Sequence, residues 1–285
     1  MVTSLITAGH STPVSVTNVS DVTPDPVVRT DLDRRRFLGA VGGIAGLAAL
    51  GQVPADRAEG RPRSDHPFTL GVASGDPTSD GVVLWTRLAP EPFRTDGGMP
   101  DRDVVVEWQV ARDRQFRRIE QRGRSWALLR LAHSVHVEVD GLEPDAEYYY
   151  RFRYRGEISA VGRTRTTPRR TGRHPSLAFA FASCQDWASG YYSALRHLAA
   201  EDLDLVLHLG DYVYEGGIPA DGGYRKTPVP EVLQTAPRDV NRWRMQYALY
   251  RTDPDLQRAH ARFPWVVTWT GTAAATSAAA WTATG

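Results

Sequence analysis

Between Pro67 and Phe152 the chain runs in short stretches of β-branched and aromatic residues separated by clusters of Gly, Pro and Asp, the pattern of strands joined by turns. Turn chemistry at Gly75-Asp76-Pro77 and Ser79-Asp80-Gly81 precedes a strand over residues 82–86, and residues 104–111 read as the next. Over residues 134–139, Val135, Val137 and Val139 alternate with polar positions, so one face is buried and the other wet. Gly141-Leu142-Glu143-Pro144 then turns the chain into an aromatic strand, residues 148–152. Tyr148 to Tyr150, Trp85 and Trp108 are expected in the core, where a buried tyrosine needs a backbone partner for its hydroxyl.

After a linker at residues 166–170 the period changes. Residues 177–182 form a nearly unbroken apolar run, which predicts a strand buried on both faces and ending at Ser183-Cys184-Gln185-Asp186. Tyr192, Leu195, Leu198 and Ala199 recur at helical spacing. A second strand follows over residues 203–209, with Asp204 and His208 inside it, and ends in Gly210-Asp211-Tyr212-Val213-Tyr214-Glu215. A strand, helix and parallel strand bring both polar ends to one edge of a sheet, so Cys184 and Asp211 are expected to be neighbours where open α/β sheets carry their sites. Gly210 allows the sharp turn that aims a carboxylate there. His208 is expected to pack within its strand or to support the site from behind. Residues 216–230 read as an exposed loop, and residues 239–260 as a helix bearing Trp243, Tyr247 and Tyr250, with Arg242, Arg244 and Arg251 as a solvated face.

A formal net charge of +1 gives no reason to expect nucleic acid or an anionic membrane as the main partner. The single cysteine excludes an internal disulfide and leaves Cys184 as a buried spectator, a reactive thiol or a metal ligand. At the N-terminus, Asp33-Arg34-Arg35-Arg36-Phe37-Leu38-Gly39 precedes an apolar stretch, residues 40–50, too short to span a bilayer, with small residues at Val53-Pro54-Ala55. This is a twin-arginine signal pattern. Residues 1–58 are therefore read as a leader, disordered over 1–32 and silent about the fold, that engages the twin-arginine translocase and delivers a secreted product with no stable membrane anchor.

Residues 137–152 resemble the strand, turn and tyrosine-corner strand of fibronectin type III or immunoglobulin-like sandwiches. Phe181-Ala182-Ser183-Cys184-Gln185 and Gly210-Asp211-Tyr212-Val213-Tyr214-Glu215 are similar to the first two metal-site motifs of alkaline phosphatase D (PhoD)-type metallophosphoesterases, a variant of the calcineurin-like superfamily. The resemblance implies a fibronectin III/Ig-like all-β sandwich at residues 66–168, followed by a partial α/β metallophosphoesterase domain at residues 174–269. It further implies an exported metal-dependent phosphomonoesterase or phosphodiesterase acting on a phosphate ester. Cys184 and Tyr214 would be ligands of ferric iron, and Asp211 the carboxylate between iron and calcium. Thiolate and phenolate do suit a trivalent transition metal, and carboxylate a hard cation.

The resemblance breaks at Trp269. Residues 260–269 are similar to the strand that leads into the family's Trp-Asp-Asp-His-Glu block, yet Thr270-Gly271-Thr272-Ala273 follows instead. From Phe263 to Gly285 there is no acidic residue and no Lys, Arg or His. The expectation is a frameshifted, truncated chain with an aberrant tail at residues 270–285, an apolar sheet edge after Trp269, and little or no activity because later metal ligands are missing. The alternatives are a non-catalytic exported binding protein and an inert product of a damaged gene.

Overall fold

The computed structural model describes residues 66–169 and 176–268, together with the backbone of residues 4–9 and 15–18. The twin-arginine motif, the small residues at 53–55, Trp269 and the tail lie outside the described residues. The fold is mostly β-sheet with few helices.

The alternating segments become strands as their period requires. β1 (Ser4–Gly9) and β2 (Ser15–Asn18) precede β3 (Val72–Gly75), β4 (Val82–Arg87), β5 (Val104–Ala111), β6 (Ile119–Ala127), β7 (Ser134–Val139), β8 (Glu147–Tyr154), β9 (Glu157–Ile158) and β10 (Gly162–Arg165). β3, β4 and β7 pair antiparallel, and β10, β8, β5 and β6 form a second antiparallel sheet with β9 beside β8. Val72, Leu84, Val137, Val106, Tyr150 and Phe152, contributed by both sheets, meet in one core. At the turn before β8, the buried Tyr148 hydroxyl accepts from the Glu143 N–H at 2.7 Å, the backbone partner its burial calls for. Trp85 and Trp108 are only half-buried and sit against the margins of the packed clusters. The sequence reading omitted β3, β6, β9 and β10. β6 is the instructive case: its exposed and half-exposed positions, several of them charged, carry no apolar period to read.

The second half is a strand, helix, strand unit: β11 (Ser176–Ala182), α1 (Ser193–Leu198) and β12 (Leu205–His208), followed by α2 (Val240–Arg251), α3 (Pro254–Arg262) and β13 (Pro264–Val267). β11, β12, β13 and β3 run parallel in that order, so one eight-stranded sheet, β2-β1-β11-β12-β13-β3-β4-β7, joins the two halves. The junction is close enough to demand glycine: a Cβ on Gly75 would lie 2.8 Å from the Trp265 carbonyl oxygen. β13 is thus an interior strand, which corrects the expected apolar edge.

Four further expectations are revised. β1 pairs antiparallel with β11 from Ser4 opposite Phe181 to Gly9 opposite Ser176, so two segments of the supposedly disordered leader extend the sheet. Burial of β11 is one-sided. Ala180 and Ala182 are covered, with Ala180 joining Val206, Trp265 and the three helices in one core, but Phe179 and Phe181 are half-buried and Leu177 is 42% exposed. The predicted single helix breaks at Asp253, whose carboxylate caps α3 by accepting from Asp255 and Leu256 N–H, because Pro254 offers no N–H to continue α2 and suits the first turn of a new helix. Finally, Arg242 and Arg251 are buried, not solvated. Arg242 donates to the Leu233 and Thr235 carbonyls, and Arg251 to those of Leu70 and Val72.

Candidate metal centre

The crossover brings the three predicted residues together. β11 and β12 end side by side, with Ala182 opposite His208, and two backbone bonds tie the following turns: Cys184 N–H to the Gly210 carbonyl at 3.2 Å and Gln185 N–H to the Asp211 carbonyl at 3.1 Å. Cys184 and Asp211 both adopt left-handed backbone, φ 56° and 54°, a conformation that costs a non-glycine residue about 1–3 kcal/mol and persists only where the surroundings hold it. Gly210, at φ 113°, takes the conformation its position was expected to need. The result is a cluster focused on one carboxylate oxygen. Asp211 Oδ2 accepts from Cys184 Sγ at 3.5 Å and from the Tyr214 hydroxyl at 3.4 Å.

Cys184 is exposed, so the buried-spectator reading falls away. The Tyr214 phenol is held well above its usual range, first by desolvation and then by its neighbours Cys184 and Asp211. Among the described residues no group of three His, Cys, Asp or Glu side chains is placed to hold a metal ion, so the donor set here depends on the phenol oxygen. The set fits a cation: thiol, carboxyl and phenol can each give up a proton to become an anionic donor, and the three are gathered within hydrogen-bond reach around one oxygen.

The supports around the cluster come from residues with no strong sequence signal. Helix α2 holds both backbone groups of Tyr214: the Tyr250 hydroxyl accepts from its N–H at 3.4 Å, and Gln246 Nε2 donates to its carbonyl at 3.1 Å. Tyr250 also donates to Asp186 Oδ1 at 3.3 Å, linking the turns after both strands. Tyr250 and Gln246 are one helical turn apart, and only that spacing hinted at a shared face. His208 is fully buried. Its Nδ1 accepts from the Gly210 N–H at 3.4 Å, and burial lowers its pKa to about 4. It is stacked with Trp265, which stacks in turn on His260 at 4.1 Å, while Tyr212 and His260 share a 2.8 Å hydrogen bond.

The loop over residues 216–230, expected to be exposed, is anchored at its centre. Arg225 forms a 2.6 Å ion pair with Asp253, both side chains being nearly inaccessible, and its guanidinium lies over the rings of Trp187, Tyr191 and Tyr192. Ile218, Val229 and Leu233 are buried beside it.

Comparison with known proteins gives this geometry a family. Residues 53–168 match the description "PhoD-like phosphatase, N-terminal domain", and residues 179–270 match "PhoD-like phosphatase". The chain belongs to the PhoD-like phosphatase family. Alkaline phosphatase D of Bacillus subtilis (strain 168) is 50% identical to this PhoD-like chain over 247 residues, covering 83% of the chain and 41% of that protein. A solved structure of PhoD aligns with a TM-score of 0.66 at 51% identity, over 72% of this chain and 39% of that one. The PhoD-like chain therefore spans less than half the length of the relatives it matches.

Proposed function

We propose that this chain is the front part of an exported, metal-dependent phosphoesterase, in which Cys184, Asp211 and Tyr214 hold ferric iron and Asp211 also faces calcium. The observation that carries the reading is the convergence of thiol, phenol and carboxylate on Asp211 Oδ2 at the ends of two parallel strands, with Cys184 and Asp211 held in left-handed backbone. Similarity to alkaline phosphatase D supports a phosphate ester as substrate. A bound metal would supply charge to polarise a phosphoryl oxygen and acidify water. The chain's own part is to present three acidic donors on a backbone fixed by α2, with His208 bracing the Gly210 turn beneath Asp211. The N-terminal half is read as a fibronectin III/Ig-like sandwich and the second as part of a calcineurin-like fold.

Export through the twin-arginine translocase is part of the same reading. Arg34-Arg35 and the apolar stretch after them support it. Cleavage after residue 55 would remove β1 and β2, leaving β11 as the sheet edge.

The test is a titration of the full chain with ferric iron. A visible phenolate-to-iron charge-transfer band that disappears in Tyr214→Phe and shifts in Cys184→Ser supports the centre. A band unchanged in Tyr214→Phe, or no band, sinks it. Hydrolysis of bis(p-nitrophenyl) phosphate in the same samples gauges turnover, and the N-terminal mass of secreted material tests cleavage.

A further inference from the structure

The outer face of the small sheet carries a local charge that the chain's near-neutral total conceals. Pairing of β5 with β6 and β8 sets Glu107 opposite Arg124 and Arg153, and Gln109 opposite Arg122 and Arg151. Each rung places an arginine on either side of a β5 residue, and rungs on one face of a strand repeat about every 6.6–6.8 Å. Arg155, in the turn after β8, extends the row. A concavity of about 710 Å³ lies over the Glu107 rung, lined also by Trp126, which is 60% exposed, and a neighbouring one of about 440 Å³ lies over the Gln109 rung.

Among the described residues little neutralises these cations. Glu107 is the one carboxylate among the residues lining this concavity and its neighbour, against five arginines. Its pair with Arg124, at 3.5 Å with both side chains largely exposed, is weak. Arg122, Arg153 and Arg155 form no ion pair among the described residues. Guanidinium groups match phosphate oxygens in two-point contacts.

We propose that this face binds a linear polymer carrying repeated phosphate groups, recognised through its charge. Two rungs of arginine in adjoining open concavities suit a chain of anions better than one small ion. A lone exposed tryptophan provides no succession of stacking platforms of the kind that bases require. The site lies on the small sheet, away from Cys184, Asp211 and Tyr214, and stands whether or not the metal centre does.

The experiment measures binding of the full chain to long-chain inorganic polyphosphate by calorimetry across a salt series. Affinity is expected to fall with salt at a log–log slope of roughly −3, about 0.7 for each of four phosphates contacted. Arg122→Glu with Arg153→Glu is expected to weaken binding by about tenfold or more and to flatten the slope, with an unchanged melting temperature, since both side chains point out of the core. Arg122→Gln with Arg153→Gln gives an intermediate loss and covers the case in which the charge reversal unfolds the sheet. No binding at low salt, equal binding by the variants, or full competition by orthophosphate at equal phosphate concentration overturns the proposal. An oligothymidylate that binds more tightly than polyphosphate, and loses affinity in Trp126→Ala but not in the arginine variants, overturns it in favour of base stacking.

Discussion

The sandwich of β3, β4, β7 and the small sheet differs from the β11–β12–β13 segment in how completely its apolar period is used. In the sandwich, inward positions such as Val72, Leu84, Val106 and Phe152 are all below 1% exposed, because each sheet supplies the other's cover. In β11–β13 the face bearing Ala180, Val206 and Trp265 meets three helices, while the face bearing Phe179, Phe181, Leu207 and Val266 stays half-open. An alternating strand announces which side is buried. A continuous apolar run announces only that both sides are compatible with burial, and cover for each must come from elsewhere in the fold.

The sharpest break of that comparison lies in the second half, where polar anchors substitute for a second apolar layer. Arg225→Ala leaves Asp253 buried and unpaired and also strips the aromatic cage of its cation. It should cost about 3–5 kcal/mol in urea unfolding. Paired core truncations come next. Phe152→Ala, from a closed core, should cost about 3–5 kcal/mol, while Phe181→Ala, on the open face, should cost nearer ~1 kcal/mol, since little area returns to water. Similar losses at the two sites would mean that the open face is covered in solution.

The buried histidines give a pH test of the same half. His208 has its folded pKa lowered to about 4 by desolvation, against about 6.5 unfolded, and burial also holds His260 well below its ordinary value. The unfolded chain therefore takes up protons first, so this contribution is complete above about pH 6.5 and falls away as pH drops toward 4, by on the order of 3 kcal/mol for His208. Urea midpoints between pH 7 and 4.5 should decline, and less steeply in His208→Gln. The smallest effect belongs to the sandwich: Tyr148→Phe, which removes the acceptor for the Glu143 N–H, should cost ~1 kcal/mol and leave the proposed metal centre untouched.

Several elements were legible because their signals are local. β5 and β7 follow from alternation, the Tyr148 corner from a turn followed by aromatics, and the meeting of Cys184 with Asp211 from the handedness of a strand, helix, strand crossover. β6 and β10 were missed because their inward positions are small or polar, Gln121, Gly123, Ser125 and Ala127 in one and Gly162 and Thr164 in the other, and because a charged residue is tied down from another element, as Arg163 is by Glu147 and the Leu203 and Arg262 carbonyls. Arg242 and Arg251 misled for the same reason: a guanidinium can be buried where backbone carbonyls converge, and convergence of distant carbonyls leaves no trace in local sequence.

By itself, the sequence determined the strand periods, the shift from meander to strand and helix, and the residue types at the ends of β11 and β12, since each depends on neighbours a few positions away. Tertiary structure alone decided that β3 joins β13 through Gly75, that Ser4–Gly9 pairs with β11, that Arg225 finds Asp253, and that Tyr214 reaches Asp211 while α2 holds its backbone. Those contacts join groups far apart in the chain or set by loop conformation. Their partners are chosen by packing and by the need to satisfy buried polar atoms, which operate only once the chain has closed on itself.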